Sequence, residues 1–550
     1  MEVRFATVLF AVANSLFVLG CGGIGRPSSN PHDAPASDLL VGSADARVLA
    51  PDTMSVDARV LDPDTVPVDA PACDADLGSA DEQTVDAVDQ PVDAPDSEIR
   101  GESSDTSALD IVDGSSEASV LELLGAPLIF APTAQGFGIS AVLRTGAPAA
   151  LRARVRDEST VDWTELGAPS SPAADSAQWT VEGLEPGRRY DYEIHMTGVA
   201  AGGQEQLLYL GSAVTAREPG SAFTFALLTD SHIPPRNPIQ AGTTVGTDFF
   251  GFAESTLLQV ASDISASHPD FLIHMGDMLD YHLFGFNEPP PDSAWARLGY
   301  LNYRRLLGDT LGHAAHFPVI GNWDGEDGFF TSEEIQRSAS QRMLYVPGPH
   351  PDTYPQGGSQ NEDYYAFTWG DALFVVLNVM TYTPTPHLLG VNPGLPDDWT
   401  LGDQQRTWLE QTLAAATSKW RFLFIHHTVG GAAGNTTDSA YGRGGGQAAR
   451  VGEQSVVHDM MLKYGVQIFF YGHDHVFTDM VVDDIHYPLP GSAGAPWKFD
   501  TSTTGYANYW PDSGYGRVHV SQERVQVDFV AVGSQVLSSY SLNWSEKTAQ

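Results

Sequence analysis

The chain of 550 residues holds only two cysteines, Cys21 and Cys73. Both precede the part that reads as folded, so a disulfide framework or a thiolate metal site is excluded there. Basic side chains are scarce as well: 28 Lys and Arg stand against 70 Asp and Glu, a formal net charge of −42. A surface of that sign repels a phosphate backbone, which argues against nucleic acid as a partner. No GxxxxGK[ST] loop occurs, which removes the phosphate cradle of nucleotide motors. The apolar run Phe5–Leu19 is too short for a stable membrane span.

What is present divides the chain. Residues 1–21 have the layout of a secretory signal: Arg4 in a short leading segment, then the apolar run. Its end, Val18-Leu19-Gly20-Cys21, resembles the lipobox of bacterial lipoproteins. That resemblance implies a lipid on Cys21, membrane attachment through it, and a location outside the cytoplasm, in the cell envelope or secreted. Residues 22–120 are rich in Asp, Ala, Pro and Ser, and a twelve-residue unit repeats in tandem at Arg47–Ala58 and Arg59–Ala70. Such a stretch buries too little apolar surface to offset chain entropy, and reads as a disordered acidic tether. A neutral flexible chain of that length spans about 50–60 Å, and self-repulsion extends it.

Residues 121–220 alternate in short runs broken by Gly and Pro, among them Gly136–Arg144, Ala150–Asp157, Gln178–Met196 and Gln206–Ala216. The spacing predicts an antiparallel β-sandwich. GLEPGRRYDYEI resembles the corner of fibronectin type III-like domains, which implies Tyr190 or Tyr192 as the buried corner tyrosine. The sandwich reads as a spacer without a site of its own. From 221 to 545, strands alternate with helix-like stretches at Ala253–Ser267, Trp295–Leu307, Gly402–Ala415 and Gln454–Tyr464, which predicts a layered α/β domain. Tyr364–Val379 reads as a hairpin turning at Gly370-Asp371. The expectation is therefore helix-sheet-sheet-helix layers.

Five apolar segments of this domain each end on residues that ligate metals. FTFALLTDSH ends on Asp230 and His232, and FLIHMGDMLD on Asp277 and Asp280. FPVIGNWD ends on Asn322 and Asp324, FLFIHH on His426 and His427, and IFFYGHDH on His473 and His475. Ligands in open α/β sheets bind just beyond the carboxyl ends of such strands. Carboxylates, imidazoles and an amide oxygen from five strand ends are enough to hold two divalent cations. Isolated histidines such as His274, His387 and His519 read as ordinary polar residues.

The order DSH, GDMLD, GNWD, IHH, GHDH resembles the calcineurin-like metallophosphoesterases, and with the sandwich in front the arrangement is similar to purple acid phosphatases. The resemblance runs from Gly125 to about Gly533. It implies a four-layer metallophosphoesterase sandwich and hydrolysis of a phosphorylated small molecule through a metal-bridging hydroxide. It implies two di- or trivalent ions, Fe, Zn or Mn. Asp230, His232, Asp277 and His475 would hold the first and Asp277, Asn322, His426 and His473 the second. Asp277, Asn322, His427 and Asp280 are then the candidate catalytic residues, with Asp324 a supporting acceptor. Three departures stand out. Trp323 occupies the position of the family histidine that serves the leaving group, and indole N–H delivers no proton at neutral pH. Asp280 stands where purple enzymes carry a tyrosine, with Tyr281 one place late. The DSH triplet also adds a histidine that purple enzymes lack. The segment Gly430–Gln447 reads as a glycine-rich wall with Arg443 or Arg450 as phosphate clamps. Trp323 also keeps open a rival reading, a metal- or phosphate-binding protein with little or no turnover. His427, His282 and Tyr281 are the candidate replacements for the missing acid.

Overall fold

The computed structural model describes residues 122–145, 147, 150–197, 205–234, 252–280, 292–384, 400–427, 453–496, 498 and 509–544. Cys21, the tether, Tyr281, His282, His387 and the segment with Arg443 and Arg450 lie outside the described residues. Among the described residues no helix is long and apolar enough to cross a membrane.

The chain opens with β1 (Glu122–Leu123), β2 (Leu128–Thr133), β3 (Gly136–Thr145), β4 (Leu151–Asp157), β5 (Thr164–Glu165), β6 (Ser176–Val181), β7 (Arg189–Met196) and β8 (Gln206–Val214). The layered part follows with β9 (Phe223–Leu228), α1 (Glu254–Ala266), β10 (Phe271–His274), α2 (Ser293–Leu307), α3 (Asp309–His313), β11 (Ala315–Pro318), α4 (Ser332–Tyr345), β12 (Tyr365–Trp369) and β13 (Ala372–Val376). It continues with α5 (Gly402–Ala415), β14 (Trp420–Phe424), α6 (Glu453–Lys463), β15 (Ile468–Phe470), β16 (Phe477–Val482), β17 (Ile485–Pro490), β18 (Tyr509–Trp510), β19 (Gly514–Val520), β20 (Arg524–Ala531) and β21 (Gln535–Asn543).

Strands β9, β10 and β11 pair in parallel, and β19, β20 and β21 extend their sheet in antiparallel fashion. The second sheet runs β12-β13-β14-β15-β17-β16-β18, parallel from β13 to β17 and closed by hairpins at both sides. Buried parallel strands are apolar on both faces, which is why FLIH and IFF show no polar alternation. Phenylalanines fill the space between the sheets. Phe225 stacks on Phe271 at 5.2 Å, Phe271 meets Phe374 edge-on at 5.3 Å, and Phe424 stacks on Phe470 at 5.0 Å. Helices α1 and α2 cover the outer face of the first sheet through Leu257, Val260, Tyr300 and Leu307. Helices α5 and α6 cover the second through Leu409, Leu413, Val457 and Met461. The layers are helix, sheet, sheet, helix.

The leading strands form the expected antiparallel sandwich, with β5-β4-β7-β8 as one sheet and β2, β3 and β6 in the other. Tyr190 is the corner residue: its hydroxyl accepts from Glu185 N at 2.9 Å. Tyr192 instead donates to Gly312 O at 2.9 Å, in the layered part. The sandwich is also not a bead set apart. Strand β2 pairs in parallel with β11 through Phe130 and His316, so one ten-stranded sheet runs through both halves.

Candidate metal centre

The five apolar segments become β9, β10 and β11 of the first sheet and β14 and β15 of the second. All point their carboxyl ends the same way, so Asp230, His232, Asp277, Asn322, His426, His427, His473 and His475 follow strand ends at one edge of the two sheets. The eight are buried or nearly so, with Asn322 intermediate.

The ligand-capable atoms gather in two groups. Asp230, His232, Asp277 and His475 lie within 4.8 Å of one another, as do His426, His427 and His473. His475 Nε2 is 3.3 Å from Asp230 Oδ1 and 3.0 Å from His232 Nε2. His473 Nδ1 is 3.2 Å from Asn322 Oδ1, which brings the amide oxygen to the second group. Asp277 joins the groups: its Oδ2 is 3.4 Å from His232 Nε2 and 3.0 Å from His426 Nε2. The structure thus brings together the seven residues that the motifs nominate as ligands. It also places His427 closer than that pattern required, its ring 3.9 Å from that of His473.

Each group is aimed by its neighbours. Trp323 N donates to Asp277 Oδ1 at 2.8 Å, leaving Oδ2 to face the imidazoles. His426 Nδ1 lies 2.8 Å from Met275 O, which fixes the proton there and turns Nε2 inward. Asp277 Oδ2 and His426 Nε2 are both buried without an aligned hydrogen bond. A cation between them is the natural partner for both, so the donor set fits metal binding. Asp324 stands behind the site and accepts from Gly321 N (2.8 Å), Asp277 N (3.1 Å) and Leu279 N (3.1 Å). Asp280 is buried as well, its N donating to Ile233 O at 3.0 Å.

The glycines before the ligands follow from the same crowding. A Cβ on Gly276 would lie 2.6 Å from His426 Nδ1, and one on Gly321 would lie 2.2 Å from Asp277 Oδ1. The electrostatics are equally strained. Burial lowers the His426 imidazole, but the carboxylates of Asp277 and Asp230 outweigh it and raise it to about 9. Burial and then the charge of Asp277 push the Asp324 carboxyl up to about 8. Burial also raises Asp230, yet His475, His426 and His232 together hold it well below the carboxylate range.

Residues 223–477 match the calcineurin-like phosphoesterase family. They are a calcineurin-like phosphoesterase domain. All five ligand-bearing strand ends lie inside that span. A purple acid phosphatase from yellow lupin (Lupinus luteus) seeds superposes with a TM-score of 0.55 at 13% identity, covering 77% of this chain and 76% of that one. A PhoD structure gives 0.56 at 15% identity, covering 77% and 90%. At such identities the likeness concerns the fold alone. Among curated proteins none matches the sequence. Within this phosphoesterase domain, Trp323 is buried, packs with Ala495, and meets the His232 ring edge-on at 5.7 Å. His274 and His519 belong to neither ligand group, with Ser231 Oγ 2.7 Å from His274 Nε2 and Thr224 Oγ1 2.8 Å from His519 Nδ1. The sequence reading missed Met275 O and Trp323 N as orienting groups, since backbone atoms leave no mark in a motif.

Proposed function

We propose that this chain is a dinuclear-metal phosphoric ester hydrolase acting outside the cytoplasm, tethered to the cell envelope through a lipid on Cys21. The observation that carries the hydrolase reading is the reach of Asp277 Oδ2 toward imidazoles of both groups, at 3.4 and 3.0 Å. Asp230, His232, Asp277 and His475 would hold one ion, and Asp277, Asn322, His426 and His473 the other. Fe, Zn and Mn all suit this mixture of carboxylate, imidazole and amide. Bound ions supply Lewis acidity toward the phosphoryl oxygens and a nucleophile from water at neutral pH.

The chain's own residues do the rest. Asp277, facing both groups, would offset part of the charge of the ions held there. Asn322 contributes a neutral oxygen, which preserves the Lewis acidity that another carboxylate would reduce. His427, against His473 just after β14, holds the proton for the leaving group. Asp280 anchors the loop after β10. Trp323 walls the site beside His232 and transfers no proton, so substrates with good leaving groups, aryl esters or phosphoanhydrides, are favoured. The leading sandwich is fibronectin type III-like, with Tyr190 in its corner, and acts as a rigid extension of the catalytic sheet.

The buried indole of Trp323 favours one rival, a metal- or phosphate-binding protein with little turnover. Metal analysis alongside assays of aryl phosphate mono- and diesters separates the two. Two ions per chain with hydrolysis lost on chelation supports the enzyme. Two ions without hydrolysis supports the rival, and a chain that takes up no metal refutes the enzyme.

A further inference from the structure

A second site lies at the other end of the first sheet. A cavity of about 450 Å³ is lined by Arg189, Arg217, Thr224, Asp270, His519 and Arg524, among others. Arg189 opens β7 and Arg217 follows β8, so two guanidiniums come from the sandwich. Thr224 on β9, Asp270 just before β10, His519 on β19 and Arg524 on β20 come from the layered part. The cavity therefore sits in the seam between the halves, near the amino end of β9. Asp230 lies six residues further along from Thr224, which at about 3.3 Å per residue places the metal centre about 20 Å away.

Its charge runs against that of the whole molecule. In a chain with 70 acidic and 28 basic side chains, three arginines meet one carboxylate here. That carboxylate is already committed, since Asp270 accepts from Arg217 Nε at 2.6 Å and from Arg217 Nη2 at 2.7 Å. Arg189 and Arg524 bond only neutral groups. Arg189 Nη1 donates to Ser212 Oγ at 3.2 Å, and Arg524 Nη2 donates to Gln526 Oε1 at 3.0 Å and Ser541 Oγ at 2.6 Å. Among the described residues neither forms an ion pair. Each guanidinium carries five N–H donors in a planar fork, and these contacts leave several unspent. Two uncompensated forks around one concavity, with the Thr224 hydroxyl and His519 imidazole paired across β9 and β19 of the first sheet, complement a compact doubly charged oxyanion. We propose that this cavity is an anion site, separate from the metal centre, for a phosphate-type dianion: inorganic phosphate or the phosphoryl group of a monoester.

The site is tested on the full chain stripped of metal with a chelator, so that the metal centre does not take the anion. The protein is titrated calorimetrically with inorganic phosphate, sulfate and acetate at fixed ionic strength. The expected result is one phosphate per chain with saturation in the millimolar range or below. Sulfate competes, and acetate binds about tenfold more weakly. The paired substitution Arg189→Ala with Arg524→Ala lowers phosphate affinity about tenfold or more, the usual scale for lost charge-assisted hydrogen bonds. Arg524 is exposed, so Arg524→Gln alone serves as a second variant that keeps the fold, and it reports the same direction. Asp277→Asn leaves this binding unchanged. Absence of saturable phosphate binding, acetate binding as tight as phosphate, or unaltered affinity in the arginine variants overturns the assignment.

Discussion

The crowding around Asp277 gives a sharp test of the metal centre, because one methyl group is enough to disturb it. Gly321 has an ordinary backbone conformation, so Gly321→Ala adds a Cβ without backbone strain. That Cβ would lie 2.2 Å from Asp277 Oδ1 and 2.3 Å from Asp277 N. Since Cβ contacts below 3.0 Å are essentially never found, the gap must open by about 0.8 Å. Asp277 N is backbone, already bonded to Asp324 Oδ2 at 3.1 Å, so no side-chain rotation relieves the contact. The carboxylate or the β11 end has to move. A displacement near 1 Å in a reacting constellation costs about 100-fold in rate, or about 2.7 kcal/mol on the barrier. Overpacking adds about 1–3 kcal/mol of lost stability. Gly167→Ala is the control, since nothing lies within 4 Å of its Cβ, and it should change stability by less than about 0.5 kcal/mol. The assay is metal content per chain together with kcat/KM on an aryl phosphate, each beside urea unfolding. A Gly321→Ala protein with full metal content and near-normal kcat/KM would refute the placement of Asp277 between the groups.

Asp277→Asn should lose metal and hydrolysis together while the far-UV spectrum stays native, and a variant holding two ions at full turnover contradicts the bridging role. Trp323→His restores an acid where indole now packs, and should raise kcat/KM for alkyl phosphates by about 10²-fold or more relative to aryl phosphates; an equal effect on both classes assigns the acid to another residue, His427 first. Burial depresses His316 to about 3, so the unfolded chain takes up a proton below about 6.5 that the folded chain refuses. Stability is therefore lost as pH falls, by about 2 kcal/mol between pH 7.5 and 5 from this group, and His316→Gln should flatten that slope in urea titrations. Cys21→Ser should release the chain from the membrane fraction, because acyl chains supply the anchoring free energy; retention after a salt wash counts against the lipid.

The site was more legible than its surroundings, for a physical reason. Parallel strands buried on both faces must be apolar, so the polar residue that ends each one stands out in FLIHMGD or IFFYGHD. Helices α1, α2, α5 and α6 were legible from their apolar spacing, to within two residues at either end. Helix α4 was not, although its start carries a capping box in which Thr331 and Glu334 bond each other's backbone. The merging of the sandwich into the catalytic sheet left no local trace, because the parallel pairing rests on one register pair, Phe130 with His316. The two adjacent histidines after β14 could be ranked only by the resemblance, and the structure brings both to His473. The sequence flagged Trp323 as a departure, but its packing against Ala495 and the His232 ring is a tertiary fact.

Five of the seven candidate ligands have left-handed backbones: Asp230 (φ 53°), His232 (44°), Asp277 (51°), His473 (82°) and His475 (58°). Each costs about 1 kcal/mol relative to an ordinary conformation, and such strain persists only where neighbours over-determine it. Here the loops determine one another. Asp230 N donates to Gly276 O at 3.1 Å, His232 N to Asp277 O at 3.0 Å, and Ile233 N to Met278 O at 3.1 Å, locking the β9 loop to the β10 loop. His473 N donates to the Asp230 carboxylate at 3.1 Å, tying the β15 loop across from the second sheet. Asp324 ties the β11 loop to β10 through Gly321 N and Asp277 N. Apart from the Asp230 and Asp324 carboxylates these bonds use backbone groups, and they leave Asp277 Oδ2 and His426 Nε2 directed inward. The protein's own hydrogen bonds therefore offset the strain. The motif glycines and Asp324 serve the same end: they hold a geometry that the candidate ligand side chains would not adopt unaided.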